Sequence, residues 1–197
     1  MPCFLLAPLQ VDNIYAKMFL FMENITFNLM KFPEDKAEIN GWQTKFAKTA
    51  GWDNIYKYIL ENGLIRSLDE VILTNYEIFP IGDDEIKLAL SIKNQKETLG
   101  FVICQEFNLT TPSPELFLQY IVLRPDMQNK GIGKQIFNKL PTEIEKITGK
   151  RPQSAFSYID CTNLPSQKLY KRFEFDLSPI NHKFVKATGN FEPQLEK

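Results

Sequence analysis

The chain has 197 residues, 23 basic and 24 acidic side chains for a formal charge of −1, and 44% apolar residues. That length supports one domain with a full core, and the balanced charge excludes a general polyanion binder, so nucleic acid is not an expected partner. Cys3, Cys104 and Cys161 are too few and too far apart for a disulfide framework or a zinc site, and His182 is the single histidine. No stretch approaches the ~20 apolar residues of a membrane span. The reading is of a cytoplasmic, reduced protein with no membrane partner and no metal, in which His182 is a surface or sheet residue.

In chain order, Phe4 to Leu9 reads as a short strand, and Asp12 as the N-cap of a helix with Ile14, Met18 and Phe21 on one face. Phe32 to Asn40, "FPEDKAEIN", reads as a polar connection to a second helical zone. In that zone Asp53 caps a segment bearing Ile55, Tyr56, Ile59 and Leu60, and Asn62-Gly63 stops it.

From Val71 the rhythm is that of strands. Ile86, Leu88, Leu90 and Ile92 alternate along one face, and the polar link Lys93–Glu97 leads into Thr98–Phe107, which predicts an antiparallel hairpin. Leu116 to Leu123, "LFLQYIVL", is nearly all apolar, as a central strand covered on both faces should be. Beyond a glycine turn, Ile132, Ile136, Phe137, Leu140, Ile144 and Ile147 recur at helical spacing, with Pro141 expected to kink or split the helix. Ser154 to Asp160 is a further strand. A short helix opened by Pro165 carries Leu169, Tyr170 and Phe173, and His182 to Ala187 is expected as a last edge strand. The order β-α-α-β-β-β-α-β-α-β predicts an α/β protein with a mixed sheet and helices on its faces.

The turn itself, "RPDMQNKGIGK", leaves main-chain N–H groups unpaired at a helix start, where the helix dipole adds about half a positive charge. Gly131 and Gly133 let a phosphate approach without striking a Cβ, and Lys130 and Lys134 add attraction. Two nucleotide loops are excluded. A Walker A loop would need glycine at Asn129 and a hydroxyl residue at Gln135, and a Rossmann fingerprint would need glycine at Ile136.

Pro125, Gln128, Gly131 and Gly133 spell P-x-x-Q-x-x-G-x-G after a central strand. Farther on, Asn163, Leu169, Tyr170 and Phe175 fit N-x-x-A-x-x-L-Y-x-x-x-G-F. The two segments together resemble the GNAT N-acetyltransferase superfamily over roughly Glu85 to Phe175. The resemblance implies one domain, 1–197, with acceptor-side helices in 1–80, an acyl-CoA-binding core in 85–175, and central strands that splay. It implies acetyl-CoA as cosubstrate and a small-molecule or peptide amine as acceptor. The pyrophosphate would sit on the amides of Gln128, Asn129, Lys130, Gly131, Ile132 and Gly133. The pantetheine arm would lie along Ile121, Val122 and Leu123, with the N–H of Ile121 or Val122 polarising the acetyl carbonyl and Asn163 bonding the arm.

Tyr170 takes the place of the family's usual acid, against the simpler reading that it packs on the sheet. The base is expected from Glu106 or Glu77, through water, with Tyr120 lining the acceptor side. Trp42 and Trp52 either anchor helices to the core or wall the acceptor site. The pattern is broken by Glu174, where glycine is usual at the helix end, by Ser166 for alanine, and by Pro141. A non-catalytic acyl-CoA-binding or protein-interaction module on the same fold is the alternative reading.

Overall fold

The computed structural model describes residues 25–30, 34–46, 78–82, 85–95, 97–107, 111–112 and 114–191. Through them run β1 (Thr26–Leu29), α1 (Glu34–Phe46), β2 (Ile78–Gly82), β3 (Glu85–Lys93), β4 (Thr98–Phe107) and β5 (Glu115–Leu123). A 3-10 turn at Pro125–Met127 follows, then α2 (Ile132–Thr148), β6 (Ser154–Asp160), α3 (Leu164–Arg172), β7 (Asp176–Pro179) and β8 (Phe184–Asn190). The eight strands form one sheet in the order β1-β3-β4-β5-β6-β8-β7, and β2 also pairs with β3. β1 and β2 share the outer edge of β3, β1 against Leu90–Lys93 and β2 against Glu85–Leu88. The β5–β6 pair is parallel and its neighbours are antiparallel, so the predicted mixed sheet and the β3–β4 hairpin are as observed.

Strand alternation sorts the side chains into two layers. Leu88, Cys104 and Leu118 share one rung, and Leu90, Val102 and Ile121 the next, and all belong to one core under α2. Ile132, Ile136, Phe137, Leu140 and Ile144 of α2 are buried against them, at the helical spacing the sequence shows. Each such side chain contributes roughly 1.5–3 kcal/mol by leaving water. On the other face Ala89, Ser91, Phe101, Ile103 and Val122 are buried, and the Trp42 ring of α1 sits 5.0 Å from that of Phe101. Lys93 to Asp35 at 3.2 Å and Thr98 to Glu38 at 2.6 Å tie the same helix to the hairpin.

Several expectations change. Glu34–Phe46 is a helix, where the polar run was read as a connection. It has little apolar periodicity, but Glu34 and Asp35 in its first turn and Lys45 in its last complement the dipole, and Trp42 anchors it. β1 and β7, each 4 residues, are too short to show alternation. β8 is interior, between β6 and β7, so β7 and not the last strand forms that edge. Pro141 does not split α2, which runs unbroken from Ile132 to Thr148 with the proline ring buried. The chain loses one donor toward the Phe137 carbonyl there, and the packed apolar face outweighs that loss. The strand at Phe4–Leu9, the helices begun by Asp12 and Asp53, Trp52 and Glu77 lie outside the described residues.

Candidate active site

β5 delivers the chain to the glycine turn through a buried arginine. Arg124 is 4% exposed, and its guanidinium holds Asp126 by a two-point fork at 2.7 and 3.0 Å. It also holds Glu97 at 2.8 Å and the Thr98 carbonyl at 3.1 Å. Burial alone would lower its pKa, but the bonds and charges of Glu97 and Asp126 more than offset this, and the group is held above its usual value. The arginine thus fixes the end of β5 to the start of β4. The Gln128 side chain donates to the Leu123 carbonyl at 3.2 Å, and Met127 plugs the turn into the core.

Two left-handed residues then shape the turn: Asn129 at φ 58° and Gly131 at φ 78°, the N-cap of α2. Among the described residues no protein acceptor takes the amides of Asn129, Lys130, Gly131, Ile132, Gly133 or Lys134. Asn129 and Lys130 are exposed. The result is a run of N–H donors without a protein acceptor at the positive end of a 17-residue helix, an arrangement whose electrostatics favour an anion. The two glycines serve different ends. Gly131 supplies the positive φ, whereas a Cβ on Gly133 would meet Leu169 of α3 at 3.0 Å, so Gly133 lets the two helices close.

Beside this turn the sheet opens. β5 and β6 pair through three rungs, Glu115–Ser154, Leu116–Ala155 and Phe117–Phe156, and then part. The buried Ser157 hydroxyl donates to the Leu118 carbonyl at 2.8 Å, one last tie across the gap. The parting has a cause on the other edge of β5. Ile103 pairs with Tyr120 and Cys104 with Leu118, which leaves Gln119 as a bulge that turns the strand. Past it β5 stays on β4 as far as Gly100–Leu123 and no further β5–β6 rung follows. The splayed central strands are therefore present, with Ile121, Val122 and Leu123 along the opened edge. Their side chains pack to alternate faces, leaving the main chain of that edge toward the gap.

α3 closes the far side. Its N-cap is Asn163, whose Oδ1 accepts from the Ser166 N–H at 3.2 Å, so this exposed side chain has a structural duty with its amide nitrogen left over. Tyr170 is buried, meeting Phe137 edge-on at 5.0 Å and Phe175 at 5.2 Å. Burial drives the phenol pKa upward, and the Ser157 hydroxyl beside it draws it partly back. The helix ends in a Schellman motif. Glu174 donates to the Lys171 carbonyl at 3.1 Å and Phe175 to that of Tyr170 at 3.2 Å, with Glu174 at φ 60°. A glutamate adopts the turn that glycine usually makes, so the placement of Tyr170 survives the departure from the motif.

Not every expected residue joins this group. The backbone of Glu106 lies on β4 between Ile86 and Leu116, one rung before the last β5–β6 pair. Trp42 is buried in the core against Phe101. His182 is exposed in the turn before β8, and Tyr120 sits on the face opposite α2 through its rung with Ile103. Sequence reasoning missed Ser157 and a cluster of Phe117, Phe156 and Tyr158 at the gap. The signal for Ser157, a hydroxyl amid the inward positions of an apolar strand, was available. Among the described residues no helix is long and apolar enough to cross a membrane.

Residues 87–177 match the family model described as "Acetyltransferase (GNAT) domain". No curated protein matches the chain. Among solved structures, the PaiA N-acetyltransferase of Thermoplasma acidophilum in complex with coenzyme A is similar at TM-score 0.55 and 16% identity, over 85% of this chain and 99% of that one. Spermidine N-acetyltransferase of Vibrio cholerae in complex with CoA and spermine gives 0.56 and 16%, over 85% and 95%. Arabidopsis thaliana NAA60 in complex with a bisubstrate analogue gives 0.53 and 13%, over 84% and 97%. At such identities the likeness is one of fold. Motif, turn and splayed strands agree with the family match, which identifies residues 87–177 as a GNAT acetyltransferase domain.

Proposed function

We propose that the protein transfers the acetyl group of acetyl-CoA to a primary amine by direct attack in a ternary complex. The observation that carries this reading is the run of unpartnered amides from Asn129 to Lys134 set beside the opening between β5 and β6. Asn129, Lys130, Gly131, Ile132 and Gly133 bind the diphosphate, and Gln128, expected among them, instead holds the turn, with its N–H on the Pro125 carbonyl at 3.3 Å and its side chain on that of Leu123. Ile121, Val122 and Leu123 offer main-chain groups to the pantetheine arm as a neighbouring strand would, and the free amide nitrogen of Asn163 adds a bond to it. One N–H of Ile121 or Val122 polarises the thioester carbonyl, a kind of contact worth about 2.7–4 kcal/mol in an oxyanion hole. The amine nitrogen bonds to the carbonyl carbon as the C–S bond breaks. The amine's proton passes to a base, assigned to Glu106 through water, and the departing sulfur takes a proton from Tyr170.

A second reading, a non-catalytic acyl-CoA-binding module, is favoured by one observation: the Tyr170 phenol is buried and its acidity moved away from that of a thiol. The two readings part in one pair of measurements. Calorimetric titration with acetyl-CoA tests binding, and release of free thiol in the presence of a panel of amines tests transfer. Binding with amine-dependent thiol release supports the enzyme, and binding without release on any amine supports the module. Absence of binding overturns both.

A further inference from the structure

Three aromatic side chains from two strands meet where the sheet opens, on the face away from Tyr170. Phe117 and Phe156 form the last β5–β6 rung, and their rings stack at 4.9 Å and 11°. Tyr158 meets both edge-on, at 5.6 and 5.9 Å. Ala155, Ser157 and Ile159 are buried on the α2 and α3 side, so strand alternation puts Phe156 and Tyr158 on the opposite face. Tyr158 is 50% exposed, which leaves the cluster open to solvent beside the gap. Lys186, its partner on β8, holds Nζ 4.9 Å above the Phe156 ring.

An open aromatic cluster beside a reaction site has a use. The charges around it select the occupant. Lys186 already supplies the cation that these rings favour, and a second cationic centre would meet it at like charge. Asp160, the next carboxylate along β6, is committed to Thr162 through bonds of 2.6 and 2.7 Å. Glu115 lies two residues before Phe117 on β5, on the side away from the opening. An acceptor with a flat apolar body fits this wall, and a polyamine does not.

We propose that Phe117, Phe156 and Tyr158 form the acceptor wall, selecting a primary amine carried on a planar aromatic body with no second cationic centre. The proposal rests on the acetyltransferase reading above and names its acceptor class.

The test titrates phenethylamine into the CoA-saturated protein and compares initial rates of acetyl transfer to phenethylamine, propylamine and spermidine. Phenethylamine should bind and be the best of the three substrates. Tyr158→Ala should weaken its binding by about fivefold to tenfold, and Tyr158→Phe should restore it, because the contact is with the ring. The loss should be smaller for propylamine, which has no ring to stack. Lys186→Glu should shift the rates toward spermidine, a readout that stands if Tyr158→Ala fails to fold. Unchanged phenethylamine binding in Tyr158→Ala, or wild-type preference for spermidine, overturns the proposal. Binding of CoA with no binding of phenethylamine overturns it while leaving the acetyltransferase reading intact. Failure to bind CoA removes that reading instead.

Discussion

Two turns of this molecule use left-handed residues to opposite ends. At the mouth of α2, Asn129 and Gly131 turn six consecutive amides outward with no protein acceptor among the described residues. At the foot of α3, Glu174 takes the same region of backbone space, and the amides of Phe173, Glu174 and Phe175 all close onto helix carbonyls. The first turn leaves hydrogen-bonding capacity unspent and the second uses it. Unmet donors at a helix start are free to meet the diphosphate of the proposed coenzyme, and the satisfied helix end is a structural part that holds Tyr170 in place.

The largest effect expected from this contrast is on chemistry. Tyr170→Phe keeps the ring in its aromatic nest and removes the proton donor, so kcat should fall about a hundredfold while acetyl-CoA affinity stays unchanged. Stopped thiol-release kinetics beside calorimetry reads both, and an unchanged kcat removes the acid role. Next is the glycine turn. Gly131→Val places a β-branched residue at φ 78°, re-aims the amides, and should weaken acetyl-CoA by at least about tenfold in calorimetry. Glu174→Gly should do the reverse at the other turn. It relieves the left-handed strain, stabilises by about 1 kcal/mol and raises Tm by about 2–4 °C, with CoA affinity unaltered. A Tm that falls would mean the Glu174 side chain has an unrecognised partner.

A smaller effect is tied to pH. Burial raises the Tyr170 pKa above its ordinary value in the folded state, so the folded protein holds that proton more tightly than the unfolded chain does. Its contribution to stability is complete below about pH 10 and is lost as pH climbs beyond it. Denaturant melts should therefore show wild type losing stability relative to Tyr170→Phe as pH rises above about 10. Parallel pH curves would place the phenol in water.

Much of the core was legible in the sequence for physical reasons. Strict alternation in β3, a continuous apolar run in β5 and a 3.6-residue period in α2 each admit one structure. α1 escaped because its few apolar residues carry no period, and what secures it is long-range: Trp42 in the core, Asp35 on Lys93 and Glu38 on Thr98. The Gln119 bulge was hidden because β5 is apolar on both faces, so a slip of one residue leaves the pattern unchanged. The motif marked the glycine turn and Tyr170 by their spacing. The aromatic wall comes from positions 117, 156 and 158, which register alone brings together.

Backbone amide hydrogen exchange, measured with and without acetyl-CoA, compares the two turns in one experiment. Exchange at Asn129 to Lys134 should slow markedly on addition of the coenzyme, while the already bonded amides of Phe173 to Phe175 stay as they were. Unchanged exchange at Asn129 to Lys134 under saturating acetyl-CoA would contradict the account.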